Sequence, residues 1–108
     1  MAGKYWFANH PSGRVLAGSA TETEGAIGAG AEGTAVVTVD GAKLGDIVLG
    51  YSLSVDVDDV MVDAHVTADG RVTFTISNVT GESVTLGEVT YRVLVLPSAA
   101  VDDIVSKM

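Results

Sequence analysis

The sequence predicts an all-β protein, an antiparallel β-sandwich or small jelly-roll-like barrel with an extended N-terminal arm and a short C-terminal helix. Residues 34–96 hold short runs of alternating apolar and polar residues separated by turn-forming residues, which is typical of antiparallel strands. Residues 97–108 instead repeat their apolar residues at helical spacing. We therefore divide the chain into an arm (1–33), a β-sandwich body (34–96) and a helical tail (97–108).

The length and composition limit the core that this body can build. A chain of 108 residues has room for one domain, and its apolar residues are largely Ala and Val, with only six aromatic residues. The chain has no Cys, so neither disulfides nor cysteine-based metal sites can add stability. We expect part of the stability to come from association with other subunits.

The arm shows neither helical nor strand periodicity. Glycine recurs at 25, 28, 30 and 33, which disfavours a helix. We therefore expect residues 1–33 to be extended or mobile until they meet a partner.

The tip of the arm, KYWFANHPSGR (4–14), is aromatic and basic, and it allows two interpretations. In the first it is a docking arm, because aromatic and Arg side chains are favoured anchors of protein interfaces; the anchors are then Tyr5, Trp6, Phe7 and Arg14. In the second it is an ordinary first strand with Tyr5 and Phe7 facing inward. Base stacking is disfavoured because the acidic body offers no basic channel.

The body is predicted to contain strands at 34–39, 47–55, 60–67, 71–78 and 83–96. Gly50 indicates a β-bulge or a close backbone approach. Gly70, in Ala-Asp-Gly, predicts a hairpin turn with a positive φ. The last segment is either two short strands or one strand broken at Gly87.

The tail is predicted to be a helix that must dock on another surface to persist, since it is only about ten residues long. Val101, Ile104, Val105 and Met108 share one helical face. Ser98 is the predicted N-cap.

Charge argues against several classes of partner. Residues 1–14 carry a net charge of +2, whereas residues 15–108 carry four Lys and Arg against fourteen Asp and Glu, a net −10. An acidic body repels phosphate, so we expect no binding to nucleic acid or to anionic membranes. The N-terminus lacks the apolar region of a signal peptide, and no apolar run could span a bilayer, so we expect assembly in the cytoplasm.

Few residue patterns indicate chemistry, and we predict that the chain is not an enzyme and uses no cofactor. His10 and His65 lie in different zones, and His65 is expected to be an exposed or edge side chain. No phosphate-binding or dinucleotide-binding glycine motif is present.

Two further motifs each allow a functional and a structural interpretation. The acidic run Asp56, Asp58, Asp59 and Asp63 could supply oxygen ligands to Ca²⁺, but it departs from the EF-hand pattern and is better interpreted as a solvated turn. Calcium binding by this turn stays an open alternative. Asn78-Val79-Thr80 matches an N-glycosylation acceptor and is interpreted as a chance match.

Several pieces between residues 41 and 96 form a recognisable series. They are Gly41-Ala42, Gly45-Asp46-Ile47-Val48, Ala64-His65-Val66-Thr67-Ala68, Asn78-Val79-Thr80-Gly81 and Thr90-Tyr91-Arg92-Val93. This series resembles a pattern of small tailed-phage virion proteins of the capsid decoration (cement) or head-fibre type. The resemblance covers about half the chain and includes no catalytic residue.

The resemblance implies a β-rich homotrimer on the outside of a phage head, where it contacts the major capsid protein and stabilises the junctions between capsid subunits. The arm and the tail lie outside the pattern. The alternative is a carbohydrate- or receptor-binding module of a phage fibre, with Trp6 or Tyr51 as a platform for sugar stacking.

Overall fold

A computed structural model of the chain describes residues 15–108. Within that range the chain forms six strands and one helix, in the order β1 (Leu16–Ile27), β2 (Glu32–Thr38), β3 (Ile47–Leu53), β4 (Val60–Ala68), β5 (Arg71–Asn78), β6 (Val84–Leu96) and α1 (Ser98–Ser106). The predicted all-β class is confirmed, and a strand is present at each of the five predicted positions.

The strands form two three-stranded antiparallel sheets that pack face to face. Sheet A has the order β1-β6-β3, and sheet B has the order β2-β5-β4. Only the β4–β5 connection stays within one sheet. Ala68 pairs with Arg71, so its turn consists of Asp69 and Gly70, and Gly70 has the predicted positive φ, 72°.

The core lies between the two central strands, because every second residue of β5 and β6 points inward. Phe74 of β5 and Tyr91 of β6 are fully buried, and their ring centroids are 4.9 Å apart. Their neighbours along the two strands are β-branched residues, which pack well on a pleated surface; the buried ones are Val72, Ile76, Val89, Val93 and Val95.

The prediction that residues 1–33 form an arm separate from the body is wrong for residues 16–33. Strand β1 pairs with β6 along its whole length, from Leu16 opposite Val95 to Ile27 opposite Val84, and β2 already begins at Glu32. Burial does alternate along the start of β1. Hydropathy does not reveal this alternation, because Gly, Ala, Ser and Thr occupy both faces of the strand.

Glycines mark two irregularities in sheet A. The pairing of β3 with β6 shifts by one residue between Val48 and Gly50, so the predicted bulge is confirmed. A Cβ on Gly50 would meet no atom within 4 Å, so no close backbone approach exists there. β6 continues as one strand through Gly87, whose φ is 74°.

The predicted C-terminal helix is present, but its N-cap and its packed face differ from the prediction. The N-cap is Pro97, with no side-chain capping bond, and the Ser98 N–H donates to Asp46 Oδ1 at 2.9 Å. Ala100 is the buried residue of α1, while Val105 and Met108 are exposed. The helix is thus anchored at its first turn by a carboxylate from the β2–β3 loop.

Candidate binding surface

The predicted anchors Tyr5, Trp6, Phe7 and Arg14 lie outside the described residues. The described chain begins at Val15 and enters β1 one residue later. Ala17, Gly18 and Ser19, near the start of β1, line a depression of about 690 Å³ on the outer face of sheet A. The segment that carries the predicted anchors is therefore joined to the body beside this surface.

Three rows of outward side chains make up the middle of the outer face of sheet A, each with one residue from β1, β6 and the β3 side, and the exposed Thr23–Glu88 pair continues the face beyond them. The pairing of the strands defines the rows Ala17–Leu94–Gly50 and Ser19–Arg92–Ser52. A third row consists of Thr21, Thr90 and Ser54, where the Thr21 and Thr90 hydroxyls lie 2.8 Å apart and Ser54 Oγ accepts a bond from the Thr90 N–H. In the first two rows, a long side chain on β6 stands between two small residues.

This face combines apolar exposure with little charge. Leu94 is 47% exposed, and Ile47 and Leu49 of the adjacent β3 are exposed to a similar degree. Arg92 is the single charged residue in the three rows. Within residues 15–108, its guanidinium has neither a hydrogen bond nor an ion pair.

The outer face of sheet B has a different chemistry. Its outward rows are rich in Thr and include the charged residues Glu32, Asp63 and Arg71 together with His65. Such a composition suits a face in contact with water. The two faces of the sandwich are therefore not equivalent.

Tyr51 lies at the open side of the sandwich, between the large depression and a second one of about 360 Å³. Its hydroxyl donates to the Val62 carbonyl at 2.7 Å, and its ring meets Phe74 edge-on, with centroids 5.5 Å apart. The residue as a whole is 42% exposed. Tyr51 is thus held in one orientation with part of its ring open to a ligand, as the fibre alternative requires.

The structure does not assemble the other candidate groups into a site. His65 is an exposed side chain on edge strand β4, as predicted, and its Nδ1 lies 3.6 Å from Asp63 Oδ2. In the acidic turn, Asp56 Oδ1 accepts a bond from the Asp58 N–H. Among the described residues, no three His, Asp or Glu side chains are grouped so that they could hold a metal ion.

Asn78 is a structural residue rather than a modification site. Its side chain is buried, and Nδ2 donates to the carbonyls of Ile27, Gly28 and Glu82 at 2.8, 3.1 and 2.7 Å. Its Oδ1 accepts from both the N–H and the hydroxyl of Thr80. An amide nitrogen committed in this way cannot accept a glycan in the folded protein, which agrees with a chance match to the acceptor motif.

Tyr91, at the centre of β6, has a displaced pKa. Its hydroxyl donates to Glu24 Oε1 at 2.6 Å. Burial, and then the hydrogen bond and negative charge of Glu24, raise the pKa of Tyr91 well above its ordinary value. The hydrogen bond joins β1 to β6, so we assign the pair a role in stability.

Sequence reasoning missed Arg92 and Leu94, and one signal could have found them. The inward positions of β6 are Val89, Tyr91, Val93 and Val95, so Leu94 lies on the outward phase, where a solvated sheet would carry a polar residue. Its small neighbours Ala17 and Gly50 cannot be recognised from the sequence, because the sequence predicts an arm where β1 lies.

Comparison with known proteins leaves the resemblance to phage virion proteins without support from outside the sequence. No protein-family model, curated protein or solved structure matches the chain. In the part of the chain that the structure describes, the helix is too short and too polar to cross a membrane.

Proposed function

We propose that this chain is a structural virion protein that binds the outside of a tailed-phage head as a decoration, or cement, protein. In this function a homotrimer contacts the major capsid protein and stabilises the junctions between capsid subunits. The single observation that carries the proposal is the series of short motifs between residues 41 and 96, which resembles that class of protein.

The places of these motifs in the fold support their interpretation as a scaffold pattern. Gly41 and Gly45 have positive φ angles of 89° and 94° in the β2–β3 loop. Asp46 Oδ2 accepts from the Lys43 N–H at 2.8 Å while Oδ1 holds the first turn of α1. Asn78 closes the β5–β6 connection. Each of these residues has a structural role that a shared scaffold would need.

The charge of the sandwich and the composition of the N-terminal tip also suit attachment without catalysis. Residues 15–108 supply a compact sandwich and helix with a net charge of −10, which favours solubility of a coated particle. The aromatic and basic tip supplies anchors of the kind that interfaces favour. A segment that becomes ordered on a capsid covers much surface per residue, at the expense of its conformational entropy.

Co-sedimentation with undecorated heads tests the proposal. The test requires a major capsid protein among the products of the neighbouring genes, from which undecorated heads are built. The wild-type protein is expected to pellet with them, and a variant that lacks residues 1–14 is expected to remain folded and trimeric but to stay in the supernatant. Retention of binding by the shortened chain contradicts the docking arm, and absence of wild-type binding contradicts decoration.

A charge-matched pair sharpens this test. Arg14→Glu changes a predicted anchor, while Arg71→Glu makes the same change at an exposed position of sheet B. We expect the first variant to bind heads more weakly than the wild type and the second to bind them equally. Equal binding by both variants argues against Arg14 as an anchor.

The position of Tyr51 favours a second candidate function, a carbohydrate- or receptor-binding module of a phage fibre. A half-exposed aromatic ring with a fixed orientation beside a depression is a suitable surface for a sugar ring. Binding to a glycan array that is lost in Tyr51→Ala or Trp6→Ala would favour this function, and a protein that binds heads but no glycan would exclude it.

A further inference from the structure

We infer that the outer face of sheet A is the surface through which one copy of this chain packs against a neighbouring copy. The inference rests on the trimer in the proposed function and deepens it, because it assigns the contact between subunits to particular residues. Arg92 and Leu94 are its central side chains.

The first argument is the shape of the face. Leu94 stands between Ala17 and Gly50, and Arg92 stands between Ser19 and Ser52. Cross-strand neighbours normally cover each other, but these small residues cannot cover a Leu or an Arg. The two long side chains therefore project from a depression of about 690 Å³ and can enter a complementary surface.

The second argument is charge. Residues 15–108 carry fourteen acidic and four basic residues, so two copies that approach through most of their surface bring carboxylates together. The three rows of sheet A contain one charged residue, and it is positive. The part of the face formed by these three rows, with Glu88 beyond it at one end, can approach another acidic copy with little repulsion, and Arg92 gains a carboxylate partner there.

The third argument is area. β1 and β6 run side by side for about 43 Å and are about 10 Å wide, and β3 adds a third strand only beside Tyr91–Leu96, so the face measures roughly 500 Å² in projection. Stable interfaces bury about 800 Å² on each partner, and the exposed side chains of Ile47 and Leu49 on β3 raise the area that a contact would bury toward that value. The outer face of sheet B has comparable strands, but its charged residues fit water better than an acidic neighbour.

The oligomeric mass of charge-reversal variants tests the inference. The wild-type chain is expected to sediment as a trimer of about 33 kDa, from a subunit of 11.0 kDa. Arg92→Glu and Leu94→Glu place a carboxylate on the face and are expected to give the subunit mass. The matched controls on sheet B, Arg71→Glu and Val36→Glu, are expected to keep the trimer.

Circular dichroism and thermal unfolding establish that each variant is folded. All four positions are exposed, so folding should survive at each. Trimers in both Arg92→Glu and Leu94→Glu overturn the inference, and so does a wild-type chain that is monomeric at all concentrations tested.

Thiol protection gives a second readout that does not depend on disrupting the assembly. The chain has no native cysteine, so Ser52→Cys on the sheet A face and Thr34→Cys on the sheet B face each introduce a single thiol. We expect a maleimide to label Cys at 52 slowly in the assembled protein and quickly after dilution to the monomer. Cys at 34 should react quickly throughout, and equal rates at both positions in the trimer overturn the inference.

The two proposals fail in different ways. A trimer that dissociates on Arg92→Glu but never pellets with heads supports the subunit contact and contradicts decoration. A wild-type protein that pellets with heads while Arg92→Glu and Leu94→Glu remain trimeric supports decoration and contradicts the contact.

Discussion

The hydroxyl of Tyr91 donates a 2.6 Å hydrogen bond to Oε1 of Glu24, 67 residues away in the sequence. The bond ties the centre of sheet A to the strand β1 that sequence reasoning had placed in an arm. It gives the most direct test that residues 16–27 belong to the folded body.

We expect Tyr91→Phe to lower the free energy of unfolding by about 1 kcal/mol, because the ring stays packed on Phe74 while a bond to a half-exposed carboxylate is lost. Urea unfolding at neutral pH measures this change. Glu24→Gln should retain part of the stability, because the amide oxygen of Gln can still accept the bond from the Tyr91 hydroxyl. An unchanged midpoint in Tyr91→Phe would mean that the bond contributes nothing.

The same pair predicts a pH dependence. The pKa of Tyr91 is raised in the folded state, so the folded protein holds this proton more tightly than the unfolded chain. Its contribution is complete below the ordinary Tyr pKa of about 10 and decreases as the pH rises beyond it. The difference in unfolding midpoint between the wild type and Tyr91→Phe should therefore shrink in alkaline solution, and a constant difference would contradict the raised pKa.

Gly18 is required where β1 packs against the end of β2. A Cβ at this position would lie 2.5 Å from the Thr38 carbonyl oxygen and 2.7 Å from a methyl group of Val39. We expect Gly18→Ala to destabilise the protein by about 1–3 kcal/mol, as overpacking does. Gly25→Ala, in the same strand but with no atom near the added Cβ, is the control. Thermal unfolding compares them, and equal midpoints would show that β1 shifts freely.

Asn78 should be among the most sensitive polar residues of the body. Asn78→Asp keeps the acceptor for Thr80 but sets a carboxylate against the Ile27, Gly28 and Glu82 carbonyls, which all lose the Nδ2 donor. We expect a loss of about 3 kcal/mol or more in unfolding free energy. Ser77→Ala, one residue earlier, should cost less than about 0.5 kcal/mol. Chemical denaturation measures both unfolding free energies. A mild effect of Asn78→Asp would show that the three carbonyls find other donors.

Asp46 holds the start of α1 from the β2–β3 loop. Asp46→Ala removes the acceptors of the Ser98 and Lys43 amides, and we expect a loss of about 1 kcal/mol, as for other N-terminal caps. Hydrogen exchange by NMR should show faster exchange of the Ser98 amide. Asp40→Ala, at an exposed position in the same connection, should leave that amide unchanged. Equal exchange in both variants would mean that Asp46 does not anchor the helix.

Much of the fold follows from local patterns. The alternation of Val72, Phe74 and Ile76 along β5 predicts a strand with one buried face, and the structure buries these residues. Gly70 and Gly50 mark a turn and a bulge because a residue without a Cβ relieves local restrictions on the backbone. The change to helical spacing after Pro97 predicts α1, although Val105 and Met108 did not become its packed face.

Only the tertiary structure decided the role of β1 and the character of sheet A. Gly, Ala, Ser and Thr occur on both buried and exposed faces of strands, so the sequence of β1 does not show which of its faces is buried. Its pairing depends on β6, which begins 56 residues of intervening chain later. The exposed setting of Arg92 and Leu94 depends in turn on the small neighbours that this pairing provides. Hydropathy along a chain reports which residues avoid water, whereas a surface is made by residues that are distant in sequence and meet only when both sheets have formed.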